Sequence, residues 1–172
     1  MADSVVAVVT GDWNRDGARD AALIVEPADD EDDNSLKIYL SEGPGSRLRL
    51  KVHAENFVWG SSVMAGQTPE LQELANGSLA VMSQNAAIGR NRWSKRLTIA
   101  WRNSRFVVAG FTFDEFDTLG EPDAGDEVKK QECDLNLIEG KGDIRGERRS
   151  FASVVKTVTE WDDEIGHAIC NQ

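Results

Sequence analysis

Between two apolar runs, residues 5–9 and 21–25, the chain carries Asp12-Trp13-Asn14-Arg15-Asp16-Gly17-Ala18-Arg19-Asp20, which reads D-x-N-x-D-G-x-x-D. Oxygen-bearing side chains at alternate positions can converge on one hard cation when the chain coils round it. Gly17 permits the sharp turn that brings the last carboxylate back. Calcium takes six to eight oxygens at about 2.3–2.6 Å, so it is the ion this set suits. A tight metal-type connection between two short apolar runs points to an antiparallel hairpin.

The remainder is strand-like almost throughout. Leu36-Lys37-Ile38-Tyr39-Leu40 alternates and is expected to be a half-buried strand. Leu48-Arg49-Leu50-Lys51-Val52 alternates too, with Leu48, Leu50 and Val52 predicted to face inward. Residues 41–46 are a turn by composition. A meander follows, through residues 79–82, a turn at Gly89-Arg90-Asn91, a strand at 97–101 and another at 106–113. Asn103, which tolerates positive φ, makes 102–105 a tight turn. A Gly/Asp/Glu-rich loop spans 119–127. Leu135-Asn136-Leu137-Ile138 is expected to start a further strand, turned at Arg145-Gly146-Glu147.

Two segments are less uniform. Residues 68–75, with Leu71, Leu74 and a Thr68-Pro69 start, are predicted helical. Residues 151–161 fit a helical stripe through Val154, Val155, Val158 and Trp161, while their Val and Thr content argues for a strand. The fold class expected is mainly β, an antiparallel sandwich or curved meander with one or two short helices. Residues 1–172 are read as one β domain with the metal-type loop at its N-terminal hairpin.

With 172 residues the chain can bury a sizeable core. Its net charge of −11, with no basic stripe, argues against nucleic acid and against an anionic membrane surface as partners. No apolar stretch approaches eighteen residues, so membrane insertion by a helix is not expected. Met1-Ala2-Asp3-Ser4 leads straight into a strand-like run. That reads as an exported chain whose leader has been removed, or as an ordinary cytosolic start. Cys133 and Cys170 are the two cysteines. An even pair beside a calcium-type loop is read as a disulfide formed in an oxidising compartment, the alternative being two buried free thiols. His167 and Cys170 offer only two ligands where zinc needs three or four.

Residues 10–21 resemble the calcium loop of FG-GAP/VCBS-type repeats, the integrin-like propeller blades, whose usual form is G-D-F-N-G-D-G-x-x-D-L. Trp13 stands where that family has an aromatic or large apolar residue, and Arg15 where it often has Gly. The resemblance implies that Asp12, Asn14, Asp16 and Asp20 give side-chain oxygens to a calcium ion and Ala18 a backbone carbonyl. An EF-hand fits less well, because its twelfth position, normally Glu, is Leu23 here. The loop occurs once, in a chain too short for a propeller. The segments 85–113 and 133–137 look like secreted proteobacterial proteins that combine such a loop with a β-meander, which implies a periplasmic or secreted location.

No Gly-rich phosphate loop, H-E-x-x-H helix or G-x-S-x-G elbow occurs in the sequence. His53 sits out of phase with Leu50 and Val52 and is expected to be exposed. Glu115, Asp117 and Glu121 are the carboxylates that could line a cleft, and a solvated loop is the plainer account. The acidic run 29–33 reads as a solvated hairpin loop. Of the five tryptophans, Trp13 and Trp101 are expected in the core. Trp59 and Trp93 are either exposed for recognition or packed on the sheet. Arg90, Arg92 and Trp93 are the residue types that anchor interfaces, and they form the predicted partner surface. The expected function is a calcium-stabilised protein-binding module, an inhibitor or immunity-type partner of an enzyme or toxin. The alternatives are a cell-envelope polymer hydrolase working through acidic residues, or a purely structural domain.

Overall fold

The computed structural model describes residues 4–27, 33–43, 45–119 and 128–172, without the side chains of 128–130. Two antiparallel meanders pack face to face. The first sheet runs β1 (Val5–Gly11), β2 (Asp20–Val25), β3 (Asn34–Leu40) and β4 (Arg49–Val58), in that spatial order. The second holds β5 (Glu70–Glu73), β6 (Leu79–Asn85), β7 (Asn91–Arg102), β8 (Arg105–Asp117), β9 (Val128–Asn136), β10 (Lys141–Ile144) and β11 (Glu147–Ser150), again in chain order. A two-residue strand, β12 (Lys156–Thr157), pairs with Val107 and Val108 of β8. A 3-10 turn (Val158–Glu160) and one helix, α1 (Asp163–Cys170), close the chain. This is the mainly β sandwich the sequence predicts.

Alternation builds the core. Leu36, Ile38 and Leu40 on β3 face Leu79 and Val81 on β6, Leu97 and Ile99 on β7, and Phe111 on β8, all within one buried cluster shared by both sheets. Residues 103 and 104 both take positive φ, at 49° and 60°, and Arg145 and Gly146 do the same at 54° and 78°. Two consecutive left-handed residues match the twist of the flanking strands, which is why these tight turns fall where Asn and Gly allow them. Trp13 is buried as expected, edge-on to Phe106. Trp101 is only half-buried and packs on the same ring at 4.8 Å. His53 is exposed.

Four expectations need correction. Leu48 and Leu50 do not face inward; they are 47% and 49% exposed. The β3–β4 register shifts between Ile38 and Tyr39, so Leu50 pairs with Tyr39 and shares its outer face, while Val52 pairs with Ile38 and is buried. Residues 68–75 are not helical. Glu70–Glu73 pairs instead with β6, Leu71 opposite Val81, because the edge of the second sheet offers its hydrogen bonds there. Leu135 and Asn136 end β9 rather than start a strand, and Asn136 Oδ1 then accepts the Glu139 N–H in the turn to β10. Residues 151–161 are neither one helix nor one strand but irregular chain, then β12, then the 3-10 turn.

Helix α1 was not anticipated. Asp162 caps it, its Oδ1 accepting the Glu164 N–H at 3.0 Å, and Asp163 and Glu164 complement the helix N-terminus. Cys170 at its end is bonded to Cys133 on β9, with Cα atoms 5.8 Å apart. The helix is thereby fixed to the inner face of the second sheet.

Candidate functional site

The loop between β1 and β2 coils on its own side chains. Asp12 accepts the N–H groups of Asp16 at 3.0 Å and Gly17 at 3.0 Å, one on each oxygen. Asn14 Oδ1 accepts the Asp16 N–H at 3.1 Å, and Asp16 Oδ1 the Ala18 N–H at 2.8 Å. Arg15 and Gly17 adopt positive φ, 61° and 82°, which curls the chain tightly enough for these short-range bonds. Arg15 also reaches the Asn76 carbonyl oxygen at 3.2 Å, and Arg19 lies 3.6 Å from Glu73, so the loop straps the first sheet to the edge of the second.

Asp20 is the buried member of the set. One oxygen accepts the Trp13 N–H at 2.9 Å and the other the Ser41 N–H at 3.0 Å, and the residue has no exposed surface. Burial raises its pKa above the ordinary carboxylate value; the backbone donors pull the other way, and the Asp16 charge adds to the rise. Ser41, which sequence reasoning passed over as a turn residue, is thus half of what holds Asp20. The donor set suits a hard cation in kind: three carboxylates, an amide oxygen and a backbone carbonyl within nine residues. Among the described residues no three His, Cys, Asp or Glu side chains are gathered closely enough to hold a metal alone.

The three residues of the expected partner surface part company. Arg90 projects from the turn, its side chain 60% exposed, and its Nε lies 2.6 and 2.7 Å from the two oxygens of buried Asp117. That hydrogen bond, and secondarily the Asp117 charge, raises the guanidinium pKa further above its usual value. Arg92 and Trp93 are neighbours on β7 and point to opposite faces. Trp93 goes inward, 4.8 Å from Trp59 and 6.2 Å from Phe113. Arg92 is half-buried on the other side.

Around Arg90, three loops are tied together. The Ala86 N–H donates to the Gly66 carbonyl at 2.9 Å, and Thr118 donates to the Arg90 carbonyl through N–H and hydroxyl at 3.1 and 3.0 Å. Their tips carry apolar side chains into solvent: Val63, Met64, Ile88 and Leu119. Asp117 also accepts the Leu119 N–H, so this carboxylate is engaged in holding the loops. Glu115 is half-buried on β8, and Glu121 lies outside the described residues. Of the acidic run 29–33, only Asp33 is described.

Compared with known proteins, the chain matches no family model, no curated protein and no solved structure. No helix among the described residues is long and apolar enough to cross a membrane.

Proposed function

We propose that the chain is a calcium-stabilised binding module of the periplasm or extracellular space, whose partner is another protein. The observation that carries this reading is the loop end, where Val63, Met64, Ile88 and Leu119 stand exposed on three hydrogen-bonded loops around the Arg90–Asp117 pair. Apolar tips on loops held by a rigid sandwich are the arrangement through which such scaffolds commonly recognise proteins. Arg90, with its charge compensated by Asp117 and its side chain 60% exposed, adds a hydrogen-bond donor at the rim, suited to a partner with an acceptor beside an apolar patch. An enzyme or toxin that the module inhibits fits this description.

The calcium part rests on the D-x-N-x-D-G-x-x-D spacing and on the coil that already draws Asp12, Asn14 and Asp16 together. Asp12, Asn14, Asp16 and Asp20, with the Ala18 carbonyl, would hold the ion. A bound cation there offsets the repulsion between Asp16 and the buried Asp20. The disulfide supports an oxidising compartment. The test compares the native chain with a Val63→Ser/Ile88→Ser/Leu119→Ser variant in capture from native periplasmic and secreted extracts. All three side chains are exposed, so folding is expected to survive. Loss of one specific protein from the captured set supports the reading; identical capture by both forms removes this surface from it.

A further inference from the structure

The inner face of the second sheet extends beyond the cover of the first. The four-stranded sheet cannot span the longer one, and where its cover ends the inward residues Trp93, Lys95 and Phe113 are left beside Trp59 and helix α1. They line a cleft of about 330 Å³ together with Asp33, Asp163 and His167. This volume lies at the small end of the range for ligand pockets, roughly 300–1,000 Å³.

The lining has two characters. Trp59 and Trp93 pack on each other and Trp93 stacks on Phe113, giving an aromatic wall, with both tryptophans half-buried. The polar part is an ion pair and an imidazole. Lys95, with a side chain only 10% exposed, pairs with Asp163, whose other oxygen accepts the Trp161 indole N–H at 2.8 Å. His167 stands edge-on to Phe111 and Phe113, at 5.3 and 4.6 Å between centroids. Its ring nitrogens make no hydrogen bond to any described residue.

The charge pattern narrows the ligand. Lys95 and Asp163 compensate each other, so the pair offers a ligand hydrogen bonds rather than net charge, and Asp33 opposes an anion. A wholly apolar ligand would take water from the Lys95–Asp163 pair and the His167 nitrogens without replacing its hydrogen bonds. A neutral molecule with an apolar face and a rim of groups that both donate and accept satisfies every part of the lining. A sugar ring has that form: its C–H face lies on an indole, and its hydroxyls accept from Lys95 and exchange hydrogen bonds with carboxylate and imidazole.

We propose that this cleft is a binding site for a neutral saccharide, of mono- to disaccharide size, with Trp59 and Trp93 as the stacking wall and Lys95, Asp163 and His167 as the polar contacts. Its lining shares no residue with the loop tips assigned to a protein partner.

Isothermal calorimetry of the full chain tests it with neutral oligosaccharides of the cello, malto, manno and chito series. Tetramethylammonium and inorganic phosphate serve as charged controls. Saturable binding of at least one saccharide is expected, weakened about tenfold or more in Trp59→Ala and in His167→Ala, as removal of a central contact implies. Near-UV circular dichroism checks that each variant is folded, and Trp59→Phe with His167→Gln replaces any that is not. Failure of every saccharide to bind, retention of full affinity in the folded variants, or saturable binding of the ions alone would each overturn the proposal.

Discussion

The carboxylate of Asp20 accepts the backbone N–H of Trp13 at 2.9 Å, joining two buried residues across the tight loop between β1 and β2. Its second oxygen holds the Ser41 N–H. Asp20→Ala would leave two buried donors without partners, each costing about 1–3 kcal/mol. A loss of roughly 2–4 kcal/mol is expected in denaturant unfolding in chelator, because these bonds do not need the ion, and a larger one in calcium, where the variant also forgoes what the ion adds. An unfolding midpoint close to that of the unmodified chain would show that the loop does not depend on this carboxylate.

Asp16 is the residue at which the proposed calcium binding can be tested apart from the scaffold. It is exposed and bonds only within the loop, to the Ala18 N–H and the Asn14 amide. Asp16→Ala should shift stability by about 0.5 kcal/mol or less in chelator. If calcium binds with a Kd of roughly 10⁻⁴ M, a hundredfold excess adds about 2.7 kcal/mol to the unmodified chain and little to the variant. Melting in both conditions reads the difference. Equal melting temperatures with and without chelator in the unmodified chain would end the calcium reading.

Much of the fold was legible because it follows from short-range rules. The turns at 102–105 and 145–147 were signalled by Asn103 and Gly146, residues that tolerate a left-handed backbone. Period-two alternation placed Leu36, Ile38, Leu97 and Ile99 in the core. The same period separates Arg92 from Trp93, so a surface built from both was already at odds with a strand there. What could not be read depends on distant partners. The slip that exposes Leu50 belongs to the pairing of β3 with β4 and leaves no mark in β4 itself. Residues 70–73 became a strand because β6 lay open beside them. Lys95 and Asp163 stand 68 residues apart, so no local spacing announces their pairing or the cleft it floors. Helix α1 does leave a local mark, an Asp162 cap, an acidic first turn and Ile165 and Ile169 four residues apart, but it is only eight residues long and Gly166 interrupts it, so the signal is easily passed over.

The Cys133–Cys170 bond ties α1 to β9 across a separation of 37 residues. In the chain-entropy model a loop of that length contributes about 3–4 kcal/mol, by restricting the unfolded chain. Unfolding in guanidinium with a strong reductant should lower the stability by about that amount. Thiol counting in denaturant without reductant should find none free; two titratable thiols in freshly purified protein would contradict the bond.

Glu160 closes the 3-10 turn by accepting from Thr157, the N–H at 3.1 Å and the hydroxyl at 2.7 Å. These bonds, the hydroxyl first, hold its pKa below the ordinary carboxylate value. A depressed folded pKa means that the stabilising contribution is present above the unfolded value of 4.5 and is lost as pH falls through the folded one. The stability gap between the unmodified chain and Glu160→Gln should therefore be widest near neutral pH and close under acid. A gap independent of pH would show that the charge of Glu160 plays no part in the turn.

Gly166 lies in the middle of α1, where a residue with a side chain would ordinarily favour the helix by about 1 kcal/mol. Here an added methyl would stand 2.7 Å from Cγ of Phe111 and 2.8 Å from both Cδ atoms. That ring has no exposed surface and is stacked on Phe113 and tilted against Trp161, so it has no free direction in which to yield. Cys170 anchors the last turn of the helix to β9, so the contact can be relieved only by a strained shift of the turns before it. Overpacking of this kind costs about 1–3 kcal/mol. The cost exceeds the gain in helix propensity, and Gly166→Ala is expected to be less stable by about 1–2 kcal/mol in denaturant unfolding. The displaced helix should also carry His167 out of its edge-on contact with Phe113, which near-UV circular dichroism would register as a changed aromatic band. A variant more stable than the unmodified chain would mean that α1 is not seated on Phe111, and the cleft beside it would lose its wall.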